Sequence, residues 1–465
     1  MPVSILGKAA EMERLGIEMK VHNMARISQC MIVKNEEKNI ERALSWGKGI
    51  VSEQIVVDTG SSDRTVEIAE RMGAKVYHFE WIDDFAAAKN FAISKAKYEW
   101  IALLDADEYF QQEDAQKLLY YVRKLQNKKY DMILTAWVQL DEEEKVKAVS
   151  TQSRVFRNTP GLRYKRRIHE FLASLDGYEY KYVDAVNELS IYHTGYTQEA
   201  QNKKKGSNRN LKLIEAELAE NPDDWEMLGY LGDEHYNRLN LDEAEEAYRK
   251  AISCMPAKEK IIDPMRCSWN FVYLLDVLYL RVDTTEETFM EVYNKAIEYR
   301  PEEADFDYSA GEYFVFHHKF EKAEKHLKRA LELLEKNGNR CMSMFLSGKI
   351  QKAYEMLAAC CFNNKNLSDC VNYSITLLKT DKYLMSTLVV LLSAFRVDET
   401  TNGEKAADAS TVAAFLGQNL YDLNSLKDRI FLLKAAMQAG YESLTQVLRG
   451  LFTPQELLYV EQALE

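Results

Sequence analysis

The sequence changes character once, at Thr197. Up to that point short apolar runs alternate with helical stretches; beyond it no run reads as a strand to the end of the 465 residues. A chain written this way has to build two cores of different kinds, and at about 150 residues per domain its length leaves room for both. In the first half Ile27–Val33, 53–57, 75–79 and 99–104 read as strands, and 37–46, Thr65–Met72 and 85–97 as helices, the second closed by Gly73. Strands separated by helices predict a parallel sheet in an α/β layer structure. Between Asp131 and Tyr196 the pattern turns β-rich, with Met132–Val138, Arg154–Arg157, Arg167–Phe171 and Glu188–His193 as strand candidates. Residues 1–25, mixed in charge and rich in methionine, read as a short leading helix or a frayed end.

In the second half, 198–218 reads as a charged amphipathic helix, and small residues then recur. One unit carries Leu228, Leu231-Gly232, Ala244, Tyr248, Ala251 and Pro256; others carry Tyr293, Ala296 and Pro301, and then Gly311, Ala323, Leu327 and Ala330. A looser unit runs through Leu357, Ala358, Cys361 and Cys370. This is the tetratricopeptide pattern, with Leu228 where tryptophan is usual and with an irregular period. Small residues let paired helices approach closely, and stacked pairs bury what a single pair cannot. Only 19 glycines and 7 prolines occur in the whole chain, which agrees with long uninterrupted helices.

Composition excludes several functions. The net charge of −13 argues against nucleic acid as a partner, because phosphate-backbone binding needs a basic surface. The longest uncharged apolar-rich stretch, Tyr383–Phe395, is too short for a membrane span of about 20 residues, and the N-terminus lacks the order of a signal peptide. Seven cysteines without a CxxC pair read as buried reduced thiols, the expectation for a cytoplasmic protein.

The strongest chemical signal is Asp105-Ala106-Asp107, following the apolar strand Trp100–Leu104. On an extended chain positions i and i+2 face the same side, so both carboxylates can converge at the strand's C-terminal end, where open parallel sheets place their ligands. Such a pair repels unless a cation intervenes or one acid takes a proton. A hard divalent cation that keeps positions for phosphate oxygens fits; a solvated turn carrying two acids is the plainer alternative. A second signal is Ile55-Val56-Val57-Asp58-Thr59-Gly60-Ser61-Ser62-Asp63, a buried strand running through a Gly/Ser turn into a helix. Asp58 is placed to accept from a base or sugar edge, and Ser62 or Asp63 to cap the helix. Neither GxGxxG nor GxxxxGK[ST] is present.

Residues 28–110 resemble a family 2, GT-A type glycosyltransferase domain. The matching text is Cys30-Met31-Ile32-Val33-Lys34-Asn35-Glu36-Glu37, Val57 to Thr65, Trp81-Ile82-Asp83-Asp84-Phe85, Ala88-Lys89-Asn90 and Leu104-Asp105-Ala106-Asp107-Glu108. Arg154-Val155-Phe156-Arg157, Ile168-His169-Glu170 and Tyr192-His193-Thr194-Gly195-Tyr196 also fit. The order of these pieces ahead of tetratricopeptide helices is similar to the sublancin-type peptide S-glycosyltransferases. The resemblance implies an α/β GT-A (Rossmann-like) nucleotide-sugar domain over 27–197, after a short extension 1–26 and before a tetratricopeptide-like helical domain, 198–465. It also implies that Ile32, Asn35 and Glu36 lie beside the nucleotide and that Asp58 binds uracil. Asp105 and Asp107 would be the DxD pair, Asp107 the main ligand of Mn2+ or Mg2+, with His193 completing the metal site. Lys89 stands where the family often has arginine, so the charge is kept and the bidentate fork is lost.

The chemistry expected is transfer of a hexose from a UDP-sugar, with inversion, to a cysteine or serine side chain of a peptide or protein. Glu170 is the candidate base, with His169 beside it to tune it; binding of sugar hydroxyls or buttressing of the acceptor loop is the alternative for both. The helical half would hold the acceptor or build a homodimer, and a groove rich in tyrosine would suit peptide recognition. A cell-envelope or polysaccharide acceptor is the second expectation. A non-catalytic scaffold with a degenerate sugar-nucleotide domain is the third. Plainer roles fall to Asp141–Glu144 as a solvated hairpin tip, Lys203–Lys205 as a helix face, and His317-His318 as a turn between helices. Arg163, Lys165, Arg166 and Arg167 form a basic cluster ahead of the candidate base.

Overall fold

The computed structural model describes residues 26–175, 177–194, 208–261, 263–337 and 344–464. The leading segment 1–25, Gly195-Tyr196, Lys203–Lys205 and Cys341 lie outside the described residues. The chain divides into two compact units, 1–222 and 223–465.

In the first unit the strands are β1 (Ile27–Val33), β2 (Glu53–Asp58), β3 (Lys75–His78), β4 (Trp100–Leu103), β5 (Glu108–Phe110), β6 (Met132–Leu140), β7 (Val146–Arg157), β8 (Leu162–Lys165), β9 (Phe171–Ser174), β10 (Tyr182–Asp184) and β11 (Ser190–His193). Its helices are α1 (Ile40–Ser45), α2 (Thr65–Arg71), α3 (Phe85–Lys95), α4 (Gln112–Leu125) and α5 (Arg209–Glu220). One nine-stranded mixed sheet runs in the order β3-β2-β1-β4-β7-β6-β11-β5, with β10 also on β6; β8 and β9 form a separate hairpin. Strands β3, β2, β1 and β4 are parallel; β7 is antiparallel to β4 and β6, and β6 pairs in parallel with β11 and β10. Alternate residues of the central strands go to opposite faces. Cys30, Ile55 and Val57 pack with Ala86, Ala92 and Ile93 of α3, while Met31, Val33 and Val56 pack with Ile40 and Leu44 of α1 and Ile68 of α2. Helices on both faces explain why β1 and β2 read as continuous apolar runs.

Two pairings set the site. Val33 lies opposite Asp58, so β1 and β2 finish side by side, while Leu103 at the end of β4 lies opposite Cys30 and the segment after it runs alongside the last residues of β1. On the far side of the sheet β11 runs antiparallel to β5 with His193 opposite Glu108, which returns a late histidine to the segment that follows β4.

The second unit is helical throughout its described residues. Paired helices include α6 (Trp225–Tyr236) with α7 (Leu241–Cys254), α10 (Ala304–Phe316) with α11 (Phe320–Asn337), and α13 (Ile350–Asn363) with α14 (Leu367–Thr380). Between the first two pairs lie α8 (Pro264–Leu280) and α9 (Glu286–Tyr299), and α12 (Met344–Gly348) precedes α13. The chain ends with α15 (Met385–Asn402), α16 (Ala409–Asn419), α17 (Leu426–Gln438), α18 (Glu442–Arg449) and α19 (Pro454–Leu464). The same cap closes the first helix of four pairs. Leu239, His318, Lys365 and Gly440 sit at φ 62°, 55°, 62° and 61°. The next residue in each case donates its N–H to the carbonyl five back, as Asn240 does to His235 and Tyr441 to Ala436, both at 3.0 Å. Gly232 and Gly311 give Tyr248 and Leu327 room between paired helices. Cys360, Cys361 and Cys370 are buried and reduced. Among the described residues no helix is long and apolar enough to cross a membrane.

Candidate functional site

The loops leaving β1 and β2 are stitched together. Asn35, at φ 58°, donates its N–H to Ser61 Oγ (2.9 Å), and its Oδ1 accepts from the Ser62 N–H (2.8 Å). The Glu36 N–H donates to Thr65 Oγ1 at 2.7 Å. Asp58 is buried, and its carboxylate accepts from the Gly60 and Ser61 N–H groups at 3.2 and 3.0 Å, with His78 Nδ1 at 3.4 Å. Burial pushes this acid up, but the hydrogen bonds from Ser61, Gly60 and His78 outweigh it and hold the carboxyl below its ordinary range. Asp58 therefore organises its own Gly/Ser turn as well as facing the strand ends. Asp63 accepts from the Thr65 N–H at 3.0 Å, but it does not cap α2, whose N-cap is Arg64 with no side-chain hydrogen bond, and Ile32 packs half-buried against the core of β1, β2 and α3.

Asp105 and Asp107 do not lie on an extended segment. β4 ends at Leu103, and the chain bends in a turn closed by the Glu108 N–H donating to the Asp105 carbonyl at 3.0 Å. A turn separates side chains that a strand would align, and the two acids meet different partners. Asp105 Oδ1 faces Lys89 Nζ at 3.1 Å and its Oδ2 accepts from Arg154 Nη2 at 2.7 Å. Burial works against the Asp105 charge, but Arg154 and then Lys89 hold its carboxyl far below the usual range. Asp107 Oδ2 lies 3.2 Å from His193 Nε2, and the Thr194 N–H donates to the Asp107 carbonyl at 3.1 Å. The His193 ring stacks on Trp137 with centroids 4.7 Å apart.

Lys89, only 2% exposed, projects from α3 and also pairs with Glu170 at 2.6 Å. Burial disfavours its charge, yet Asp105 and Glu170 together push the ammonium above its normal value. Glu170 ends the loop 166–170, which is tied to α3 by the Phe85 N–H donating to the Arg167 carbonyl at 2.9 Å. His169 is exposed, with φ 50°. The strand expected at Arg167–Phe171 is this loop, with Arg166 and His169 both left-handed and pairing resuming at Phe171. Of the basic cluster, Arg167 is committed to α5 through Glu217 and Glu220, and Arg163 to the Thr159 and Leu162 carbonyls.

The structure thus brings Lys89, Asp105 and Glu170 into one ion-paired group and Asp107 with His193 into another. The sequence reading gave no site role to Glu108, Arg154 or Tyr164. Glu108, 1% exposed, accepts from Arg154, Trp137 Nε1 (2.9 Å) and the Asp105 N–H (2.9 Å). Burial, and then the Asp105 and Asp107 charges, outweigh Arg154 and push Glu108 up. Tyr164 places its ring 5.4 Å from Lys89 Nζ.

A divalent cation fits at Asp107. Among the described residues no lysine or arginine lies within ion-pair distance of it, and its partner is an imidazole nitrogen. Burial, together with the charges of Asp107, Asp63 and Asp105, pushes the nearby Glu36 carboxyl up against a hydrogen bond from Asn39, the mark of a pocket with excess negative charge. One carboxylate oxygen and one imidazole suit Mn2+ better than the all-oxygen preference of Mg2+.

Residues 28–186 match the family model described as Glycosyl transferase family 2. A TPR repeat-containing protein of Synechococcus elongatus is 37% identical over 216 residues, 45% of this chain and 52% of that protein. The SPbeta prophage-derived glycosyltransferase SunS of Bacillus subtilis is 29% identical over 225 residues, 48% of this chain and 52% of that protein. The chain spans about half the length of the curated relatives it matches. Among solved structures, glucosyl-3-phosphoglycerate synthase from Mycobacterium tuberculosis in complex with Mn2+, UDP and glucosyl-3-phosphoglycerate aligns at 19% identity and TM-score 0.23, over 30% of this chain and 50% of that one. Residues 28–186, within the first unit, are thus matched by the family 2 glycosyltransferase model, and the described residues of the second unit form paired helices.

Proposed function

We propose that the first unit is the catalytic domain of an inverting, metal-dependent glycosyltransferase that moves a hexose from a UDP-sugar to a cysteine or serine side chain of a peptide or protein. The observation that carries this reading is the pairing of Asp107 with His193 beside an acid, Glu170, that reaches the same strand ends through Lys89 and Asp105. Asp107 and His193 would hold Mn2+ or Mg2+, which when bound offsets charge developing on the departing diphosphate. Asp58 and the stitched loop of Ile32, Asn35 and Glu36 would seat the nucleoside, their backbone fixed before the donor arrives. Glu170 would take the proton from the acceptor thiol or hydroxyl as that atom attacks the anomeric carbon from the face opposite the leaving diphosphate. Lys89 pairs with Glu170 and fixes its orientation. The exposed His169 would face the acceptor beside Glu170, and the helical half would hold the acceptor peptide or pair two copies of the chain.

Supporting this reading, the curated relative SunS is named a glycosyltransferase. The test is to incubate the full chain with Mn2+, individual UDP-hexoses and cysteine- or serine-containing peptides. UDP release and peptide mass are then followed. One hexose added to the peptide, with stoichiometric UDP, is expected; folded protein that releases no UDP with any hexose and acceptor would overturn the assignment.

A further inference from the structure

We infer that Arg154 is a positioning residue that divides the work of the two aspartates, holding Asp105 away from the cation and leaving Asp107 with His193 as its side-chain ligands. This rests on the donor-site reading above. Arg154 sits next to Val155, whose backbone pairs with Ala102 of β4, so its guanidinium approaches the 105–108 turn from a fixed neighbouring strand. A single nitrogen, Nη2, donates to Asp105 Oδ2 at 2.7 Å and to Glu108 Oε1 at 2.8 Å. Asp105 is held at every polar point. Its N–H goes to Glu108 Oε2, its carbonyl accepts from the Glu108 N–H, and its two carboxylate oxygens face Lys89 and Arg154.

The ligand atoms follow this division. Among the described residues, the group of three metal-ligating side chains whose atoms fall within 4.8 Å of one another is Glu324, Cys361 and Asp369 in the helical half, not Asp105, Asp107 and His193. Asp107 and His193 alone meet, at 3.2 Å. A dication drawn toward Asp105 would have to approach two fixed cations, whereas at Asp107 it meets neither.

The consequence has an unusual sign. Replacing Arg154 by methionine releases Asp105 Oδ2 and removes one positive charge, so the variant gains a possible third ligand. Mn2+ binding measured by calorimetry without any donor should tighten, on the order of tenfold, because ligand charge count sets affinity at such sites. Turnover should fall in the same variant, since Lys89 and Glu170 lose their fixed counterpart. R154K should return Mn2+ affinity to the wild-type value. A residue that only supported the fold would weaken Mn2+ binding or leave it unchanged, and either result in R154M would overturn the inference. D105N provides a second reading should R154M not fold: its Mn2+ affinity should stay within about twofold of wild type, while D107N should lose at least about tenfold. Equal losses in D105N and D107N would overturn the inference and leave the donor site standing. Wild-type protein that binds no Mn2+ would overturn both.

Discussion

Gly232 tests whether the helical half is held by close approach of paired helices. A Cβ there would sit 2.5, 2.6 and 2.8 Å from Cε1, Cδ1 and Cζ of Tyr248. That ring cannot retreat cheaply. It is fully buried, stacks on Tyr273 at 6.0 Å and 6°, and donates its hydroxyl to Asp233 at 2.8 Å. Overpacking of this kind costs about 1–3 kcal/mol, and alanine returns up to about 1 kcal/mol through its better helix propensity. A net loss of about 1–2 kcal/mol corresponds to about 2–8 °C in a unit of this size. Gly311→Ala meets Leu327 at 2.5 and 2.7 Å, but a leucine end can change rotamer, so its loss should be smaller. Gly348→Ala meets nothing within 4 Å and should leave Tm unchanged or slightly raised. Scanning calorimetry of the three variants should give that order. A Gly232→Ala protein as stable as wild type, or a reversed order, would refute the packing argument.

Replacing Glu170 with glutamine should cut turnover by about 10²–10⁴-fold while UDP affinity is kept, the separation expected of a base outside the donor site; an unchanged rate would assign the proton transfer elsewhere. Asp305, buried and accepting from the Phe345 and Leu346 N–H groups, is pushed up to about 7, chiefly by burial. A carboxyl raised in the folded state contributes stability that is complete below the unfolded-chain value near 3.9 and is lost as pH rises toward about 7. The loss is a few kcal/mol, at about 1.4 kcal/mol for each pKa unit. Tm should therefore drop between pH 5 and pH 8 in wild type and drop less in Asp305→Asn; identical slopes in the two proteins would contradict this.

What the sequence announced and what it hid follow from the range of the interactions. β1 and β2 were legible because both faces are covered, and an uninterrupted apolar run of strand length is sufficient. α4 carries Ala115, Leu118, Val122 and Leu125 at helical spacing on its buried face, an amphipathic pattern that the sequence shows on its own. The turn at His318 was legible from its place between helices, but the caps at Leu239 and Lys365 hide because a search for glycine would assign the left-handed conformation only to Gly440. At the site, Asp58, Lys89, Asp105, Asp107, Glu170 and His193 could be picked out one at a time, but their grouping could not. It depends on β4 pairing with β7, which delivers Arg154, and on β11 pairing with β5, which delivers His193. The turn at 105–108 depends on Glu108, whose partners Trp137 and Arg154 come from β6 and β7.

The most direct test of the donor site is calorimetric titration of UDP into the full chain, with and without Mn2+, comparing wild type with Asp107→Ala at equal circular dichroism. Binding that requires Mn2+ in wild type and disappears in the variant is the predicted result. No binding in either folded protein, or equal Mn2+-dependent binding in both, would contradict the assignment of Asp107 and His193 as the centre of the site.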